Sequence, residues 1–202
     1  MSLNRFIQVE VPAEQVAIFR AKSKEKIKAE GGWPGRNAEL KAHNFVMAWT
    51  SEYSWRSLLD ERGIRREWAS TYVGAVEGAP LDFKLWFQGQ MKTIGLRSRT
   101  MADLSKYLEV PYPDDRVRTK QWERVEDYTI AASLTFNDPG SATSRLYGAI
   151  EKERFIPILE KNYVWRSRNQ QELFRPVSLS YFDFELMNKL LTTADRKETA
   201  SL

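Results

Sequence analysis

The chain of 202 residues contains no cysteine and a single histidine, His43. The lack of cysteine excludes disulfides and thiolate zinc sites. One histidine excludes a metal site built from several imidazoles. A Ser-His-Asp triad would have to use His43, which falls inside a predicted helix, so the sequence disfavours that mechanism. Any metal site must therefore use oxygen ligands, which favours Mg²⁺ or Mn²⁺.

Long apolar runs and glycine-rich phosphate loops are also missing. No stretch reaches the roughly 18 apolar residues of a transmembrane helix, and residues 1–19 lack the apolar segment of a secretory signal. These absences predict a cytoplasmic protein that does not associate with a membrane. The absence of a glycine-rich phosphate loop argues against a nucleotide triphosphatase.

The composition is that of a globular protein. Hydrophobic residues make up 42% of the chain and charged residues 29%, and the length fits one domain. Aromatic residues reach 12%, with seven Trp, so some rings are available for a binding face as well as for the core. The net charge of +4 permits nucleic-acid binding without requiring it.

The pattern of apolar residues predicts an α/β protein. Helices are expected at 13–30 and 37–62, with Asn37 as N-cap of the second, and short helices at 100–108 and 152–158. Strands are expected at 70–76, 81–87, 93–99 and 128–136, the last being the most apolar and therefore central, with a strand-like segment at 146–150. Residues 5–11 form a short strand or an extended arm, and residues 110–124, rich in proline and charge, are predicted to be a loop.

Three regions follow from this reading. Residues 1–36 are expected to be an N-terminal arm and helix packed on the core. Residues 37–194 are expected to form the α/β domain, a mixed central β-sheet flanked by helices. Residues 195–202 are expected to be a flexible tail.

The hairpin at 81–99 concentrates polar residues on one side. Alternation puts its apolar side chains on one face and leaves a shared polar face, which consists of Asp82, Lys84, Gly95, Arg97 and Arg99. A two-residue turn at 89–90 places Asp82 opposite Arg97, and Lys84 opposite Gly95. A turn shifted by one residue places Asp82 opposite Gly95 instead. The simplest alternative is a cross-strand ion pair between Asp82 and Arg97, worth under about 1 kcal/mol.

This hairpin resembles the signature of the PD-(D/E)XK nucleases, the restriction-endonuclease-like superfamily. Pro80-Leu81-Asp82 is similar to the first half of that signature, and Gly95-Leu96-Arg97 occupies the place of the second half. The order helix, three strands, helix, strand is also similar to that core. The resemblance covers about residues 37–150 and implies a restriction-endonuclease-like fold.

What the resemblance implies about a site departs from the family pattern at two positions. The second acid is Gly95 here, and the lysine is Arg97. The implied metal ligands are Asp82 and Glu39, the latter near the start of the long helix, with the Leu96 carbonyl as a third. Arg97 stays protonated, so its implied role is to stabilise a phosphate oxyanion. Lys84, which lies elsewhere on the same polar face, offers an amine in place of the lysine of the family signature.

The basic stretch within the predicted loop suggests nucleic-acid contacts. Cations and an aromatic ring can hold a phosphate backbone and stack on a base, and the candidates here are Arg99, Arg116, Arg118, Lys120 and Trp122. The first hypothesis is a Mg²⁺-dependent (or Mn²⁺-dependent) nuclease, an endonuclease that hydrolyses phosphodiester bonds in DNA. The alternatives are a catalytically inactive nuclease-like protein that binds DNA or RNA, and a protein-interaction module without nucleic acid. Homodimerisation is left open.

Overall fold

The structure is a computed structural model that describes residues 5–29, 38–68, 83–166 and 173–196. Several predictions lie outside these ranges: the strand at 70–76, the N-cap Asn37, the acid Asp82, and the last residues of the predicted tail. Within the described part of the chain, no helix is long and apolar enough to cross a membrane.

Helices and strands are interspersed along the described chain. The helices are α1 Ala13–Ala29, α2 Ala38–Glu61, α3 Met101–Tyr107, α4 Asp114–Arg118, α5 Lys152–Lys161 and α6 Phe184–Thr193, with 3₁₀ turns at Trp122–Arg124 and Leu179–Tyr181. The strands are β1 Ile7–Val11, β2 Arg66–Trp68, β3 Phe83–Phe87, β4 Gln90–Thr100, β5 Glu109–Pro113, β6 Tyr128–Phe136, β7 Ala142–Glu151, β8 Trp165–Arg166 and β9 Leu173–Ser178.

Six of these strands form one curled, mixed sheet in the order β1-β7-β6-β4-β3-β2. β4 and β6 are parallel, and the other neighbouring strands are antiparallel. The prediction of a mixed central β-sheet flanked by helices is therefore confirmed. β6 lies inside the sheet, as its continuous apolar sequence predicts.

A two-residue turn at Gln88 and Gly89 sets the register of the β3–β4 hairpin. Both residues have positive φ, 50° and 76°, which is the backbone conformation of a type I′ hairpin turn. Lys84 consequently pairs with Thr93, and Phe83 with Ile94. Of the two registers that the sequence leaves open, the turn at 89–90 with Lys84 opposite Gly95 is not formed, and the turn shifted by one residue is the one observed.

Each face of the large sheet is covered by different elements. α2 and α6 cover one face, where Trp55 and Met187 pack with Ile94 and Leu96. The other face is covered by α3, α4, α5 and the strands β5 and β9. α1 packs on α2 through a third apolar cluster that contains Phe19 and Trp49. At Gly95 and Arg97 the polar face of the hairpin is therefore covered by other elements.

The segment 110–124 is not a loop, contrary to prediction. It contains most of β5, all of α4 and a 3₁₀ turn. β5 is an edge strand of a second, three-stranded sheet of order β5-β9-β8, a position that tolerates proline. The burial of its side chains alternates as in a strand, because Val110 and Tyr112 are buried while the three residues between and beside them are less buried.

The C-terminal segment bonds to the hairpin turn. The Asp195 carboxylate accepts hydrogen bonds from the backbone N–H groups of Gln88 and Gly89, at 2.7 and 2.9 Å. The Asp195 backbone N–H donates to the Trp86 carbonyl at 2.7 Å. Asp195 belongs to the predicted tail, yet it caps the turn that fixes the register of β3 and β4.

Candidate functional site

A cavity of about 760 Å³ lies beside the C-terminal half of β4. One wall is the N-terminal half of α2, and the opposite wall is the small sheet β5-β9-β8. The backbone of β4 from Leu96 to Thr100 runs between them. Three of the predicted site residues, Arg97, Arg99 and Arg116, line this one cavity.

α2 presents a helical stripe to the cavity. Side chains three and four residues apart lie on one helix face, and the lining residues Leu40, His43, Met47 and Ser51 follow this spacing. Glu52 lies on the same stripe, is 7% exposed and lines the cavity. Glu39, the acid expected from this helix, lies in the first turn, is exposed, and is not among the lining residues.

A buried glutamate joins two of the arginines. Glu126, just before β6, is fully buried, and its Oε1 accepts hydrogen bonds from Arg97 Nη2 at 2.9 Å and Arg116 Nη1 at 3.2 Å. Both arginine side chains are 14% exposed. Two guanidinium groups share one carboxylate, so the cluster carries a net charge of +1. We call these three residues the Arg–Glu–Arg cluster.

Gly95 leaves the space that Glu126 fills. A Cβ at position 95 would lie 2.6 Å from the Glu126 Cδ and 2.9 Å from its Oε1, closer than side-chain atoms approach one another. The resemblance to PD-(D/E)XK nucleases assigns the second acid of the signature to this position. A carboxylate from another part of the chain therefore lies against the strand at this position. Sequence reasoning missed Glu126, although glycine inside a strand is a signal that another group approaches closely.

Arg99 is the third arginine of the cavity and has no carboxylate partner within the described part of the chain. Its guanidinium lies 5.3 Å from the centroid of the Tyr107 ring. Tyr107 belongs to α3, which starts directly after β4 because Thr100 caps it by accepting a hydrogen bond from the Asp103 N–H. The end of β4 thus places a cation and an aromatic ring side by side.

The opposite wall is anchored by a second buried ion pair. Arg175 on β9 donates from Nε to Asp114 Oδ1 at 2.6 Å. Its Nη1 donates to the carbonyls of Leu159 and Asn162 at the end of α5. These bonds fix β9, and with it the cavity-lining Phe174 and Pro176, against α4 and α5.

Carboxylates also line the cavity, so it is not uniformly basic. Glu52, Asp103 and Glu109 are lining residues alongside the three arginines. A ligand that carries both negative groups and hydrogen-bond donors matches such a lining better than a plain polyanion does.

The remaining predicted residues lie apart from the cavity. Lys84 donates to Glu67 on β2 at 3.2 Å, and four residues of strand, roughly 13 Å, separate its partner Thr93 from Arg97. Arg118 and Lys120 are exposed and do not line the cavity. Trp122 packs partly against the apolar cluster beneath β5. Asp82 lies outside the described residues.

The arrangement around Arg97 does not fit a divalent cation. Arg97 Nη1 donates to the Leu96 carbonyl at 2.7 Å, and Nη2 donates to Glu126. The carbonyl that the resemblance assigns to a metal, and the nearest carboxylate oxygen, are therefore both bound to one guanidinium. Glu126 Oε2 is buried without a hydrogen-bond partner, but a dication there would lie beside two arginines. Among the described residues no group of three or more His, Asp or Glu side chains is placed to hold a metal.

Tyr112 lies under the Arg–Glu–Arg cluster. Ionisation of its phenol at high pH gives a test of its burial there. Burial is the main cause that raises the pKa of its phenol above 10.0, and Arg97 opposes this shift. Since the folded-state pKa is raised, the neutral phenol contributes stability in full below pH 10.0, and that contribution is lost as the pH rises through the folded-state pKa. Above pH 10.0 the free energy of unfolding of the wild type is expected to fall more steeply than that of Tyr112→Phe. Urea unfolding of both proteins across this pH range measures the difference, and parallel curves would contradict the burial of the Tyr112 phenol.

Comparisons with family models, with curated proteins and with solved structures found no match to this chain.

Proposed function

We propose that the protein binds DNA through this cavity and that its fold is a restriction-endonuclease-like core with a degenerate catalytic motif. The observation that carries the proposal is the meeting of Arg97, Arg99 and Arg116 at one cavity. They come from β4 and α4, which are separate elements, so their convergence is a property of the fold and not of local sequence. Arginine binds phosphate oxygens through charge-assisted and often bidentate hydrogen bonds.

The element order supports the fold part of the proposal. The elements α2, β2, β3, β4, α3, β5, α4 and β6 follow one another along the chain. Apart from the inserted β5, this is similar to the order of helix, three strands, helix and strand on which the resemblance rests, with β2 as first strand because the strand predicted at 70–76 lies outside the described residues. Position 95 lies on β4, in the strand that the resemblance assigns to the second half of the signature.

The three arginines have different roles in this proposal. Arg97 and Arg116 hold Glu126, and their cluster contributes a fixed net positive charge at the floor of the cavity. Arg99 has no carboxylate partner among the described residues, so it is the arginine that contacts a phosphate directly. The lining carboxylates accept hydrogen bonds from the amino groups of bases, as Asp and Glu do with cytosine.

Mg²⁺-dependent cleavage of DNA, the activity that the resemblance implies, is the second candidate. One observation favours it: Glu52 is a buried acid on α2 that lines the same cavity. The donor atoms near Arg97 do not fit a divalent cation, and the assignment depends on Asp82. Binding without a metal is therefore the function that the described residues support best.

The test is a titration of a fluorescent DNA duplex by anisotropy, repeated over a series of salt concentrations, with Mg²⁺ and with EDTA. We expect affinity to fall as salt rises, since phosphate contacts release counterions, and to be the same with Mg²⁺ and with EDTA. Arg99→Ala is expected to weaken binding about tenfold, because one charge-assisted phosphate contact is lost. It should also reduce the log–log salt slope by about 1.

Arg118→Ala is the matched control. It removes the same charge from an exposed residue that does not line the cavity, and its affinity is expected to stay within about twofold of wild type. Equal losses in Arg99→Ala and Arg118→Ala would show that the cavity is not the binding site. Failure to bind both duplex and single-stranded DNA at low salt would reject the proposal, and binding that requires Mg²⁺, with cleavage products in the same samples, would establish the second candidate instead.

A further inference from the structure

Three exposed aromatic side chains stand at the cavity. Tyr107 is 47% exposed, Tyr163 63% and Trp165 43%, and all three line it. They come from α3, from the segment after α5, and from β8. Large aromatic rings left in water usually mark a binding face. We call these three residues the aromatic rim.

We infer that the cavity and its aromatic rim bind an unpaired stretch of DNA, with bases stacked on Trp165 and Tyr163 and the backbone held by Arg99. This inference rests on the proposed function and narrows it from DNA in general to single strands. It combines two observations that point to the same ligand: flat apolar faces open to solvent, and a cation without a carboxylate partner among the described residues beside one of them. Aromatic rings with nearby arginines are the usual means of holding single strands.

The aromatic rim fits a single strand better than a duplex because it needs free base faces. In a duplex both faces of each base are covered by neighbouring base pairs, so a rim of protein rings has no base face to contact. An unpaired base exposes its face and its amino and carbonyl groups together. The cavity volume of about 760 Å³ lies within the range of sites that bury a ligand of nucleotide size.

The rim is supported from behind. The Trp165 and Phe174 rings lie 6.3 Å apart at an interplanar angle of 37°, and the two residues pair across β8 and β9. β9 is held in turn by the Arg175–Asp114 ion pair. Trp165 is therefore placed by the sheet and still exposes 43% of its surface. A ring already held in place loses little conformational entropy when a base stacks on it.

The experiment compares a labelled single-stranded oligodeoxynucleotide with the duplex of the same sequence, by anisotropy at one salt concentration. The wild type is expected to bind the single strand at least about fivefold more tightly. Trp165→Ala is expected to weaken single-strand binding about tenfold, since one stacked base is lost, and to leave duplex binding within about twofold. Trp165→Phe, which keeps a ring, should recover most of the affinity.

Two further variants keep the test decisive. Tyr163→Ala changes the most exposed ring of the rim, and it should lower single-strand affinity even if Trp165→Ala perturbs β8. Tyr181→Ala removes an equally exposed ring that does not line this cavity, and it should bind as the wild type does. Circular dichroism of each variant checks its fold.

The outcomes separate the inference from the function on which it rests. DNA binding with a preference for duplex, or unchanged single-strand affinity in both Trp165→Ala and Tyr163→Ala, would overturn the inference and leave the proposed function standing. Failure of the wild type to bind either form at low salt would remove both.

Discussion

Glu126→Ala is expected to lower the free energy of unfolding by about 3 kcal/mol or more. Glu126 is fully buried, and its Oε1 accepts from both Arg97 and Arg116. Removing one partner of a buried ion pair costs about 3–5 kcal/mol, because the remaining charge is left without compensation. Here two guanidinium groups lose the carboxylate that they share. We place the loss at the lower end of that range because each arginine is 14% exposed and can recruit water.

Urea unfolding of Glu126→Ala and of a matched control measures this effect. The control is Glu67→Gln, which breaks the ion pair of Glu67 with Lys84 in the same sheet. Glu67 is 58% exposed, so this substitution should cost under about 1 kcal/mol. Glu126→Gln should fall between them, since the amide oxygen can still accept hydrogen bonds but no longer neutralises an arginine charge. Similar losses in Glu126→Ala and Glu67→Gln would mean that Glu126 is not buried as described.

The same cluster links stability to the proposed DNA binding. Arg97 and Arg116 reach the cavity floor only because Glu126 neutralises one of their two charges. The cavity therefore keeps a net positive floor without an isolated buried charge, which would be costly.

Much of the fold could be predicted from the apolar pattern. Strands β3 and β4 and helices α1 and α2 match their predicted ranges closely because their apolar residues repeat with periods of two and 3.6, and β6 matches because of its continuous apolar run. The strand β5 was missed because Pro111 and Pro113 resemble loop residues. The buried positions of β5, Val110 and Tyr112, alternate as in any strand. Proline lacks a backbone N–H, and on the outer side of an edge strand there is no neighbouring strand to which that N–H would donate.

The candidate site was predictable only in part. Arg97, Arg99 and Arg116 were identified because they are basic residues on a strand face and in a basic segment. Glu126 could not be identified, because glutamate is almost never fully buried unless paired. Its two partners lie 29 and 10 residues away along the chain. Glu52 was missed for a related reason: only the packing of α2 against β4 decides which stripe of the helix lines the cavity.

Gly95→Asp, which introduces the acid that the nuclease signature would have at this position, is expected to destabilise the protein by about 4 kcal/mol or more. The new Cβ would lie 2.6 Å from the Glu126 Cδ, a side chain held by two arginines and unable to move away cheaply. Overpacking of this kind costs about 1–3 kcal/mol. A second carboxylate in the same buried space adds like-charge repulsion, so one of the two acids must take up a proton.

The double variant Gly95→Asp, Glu126→Ala distinguishes this explanation from a general intolerance of β4 to side chains. Removing the Glu126 side chain beyond Cβ vacates the space and leaves Arg97 and Arg116 available to the new Asp. We therefore expect the double variant to be more stable than Gly95→Asp alone, so that a double-mutant cycle in urea shows strong favourable coupling. Gly95→Ala, which adds bulk without charge, should show the steric part alone. If Gly95→Asp were as stable as the wild type, Glu126 could not lie against Gly95. Because one space at β4 holds only one carboxylate, the acid at position 95 and the buried Glu126 are alternatives, and this chain has Glu126.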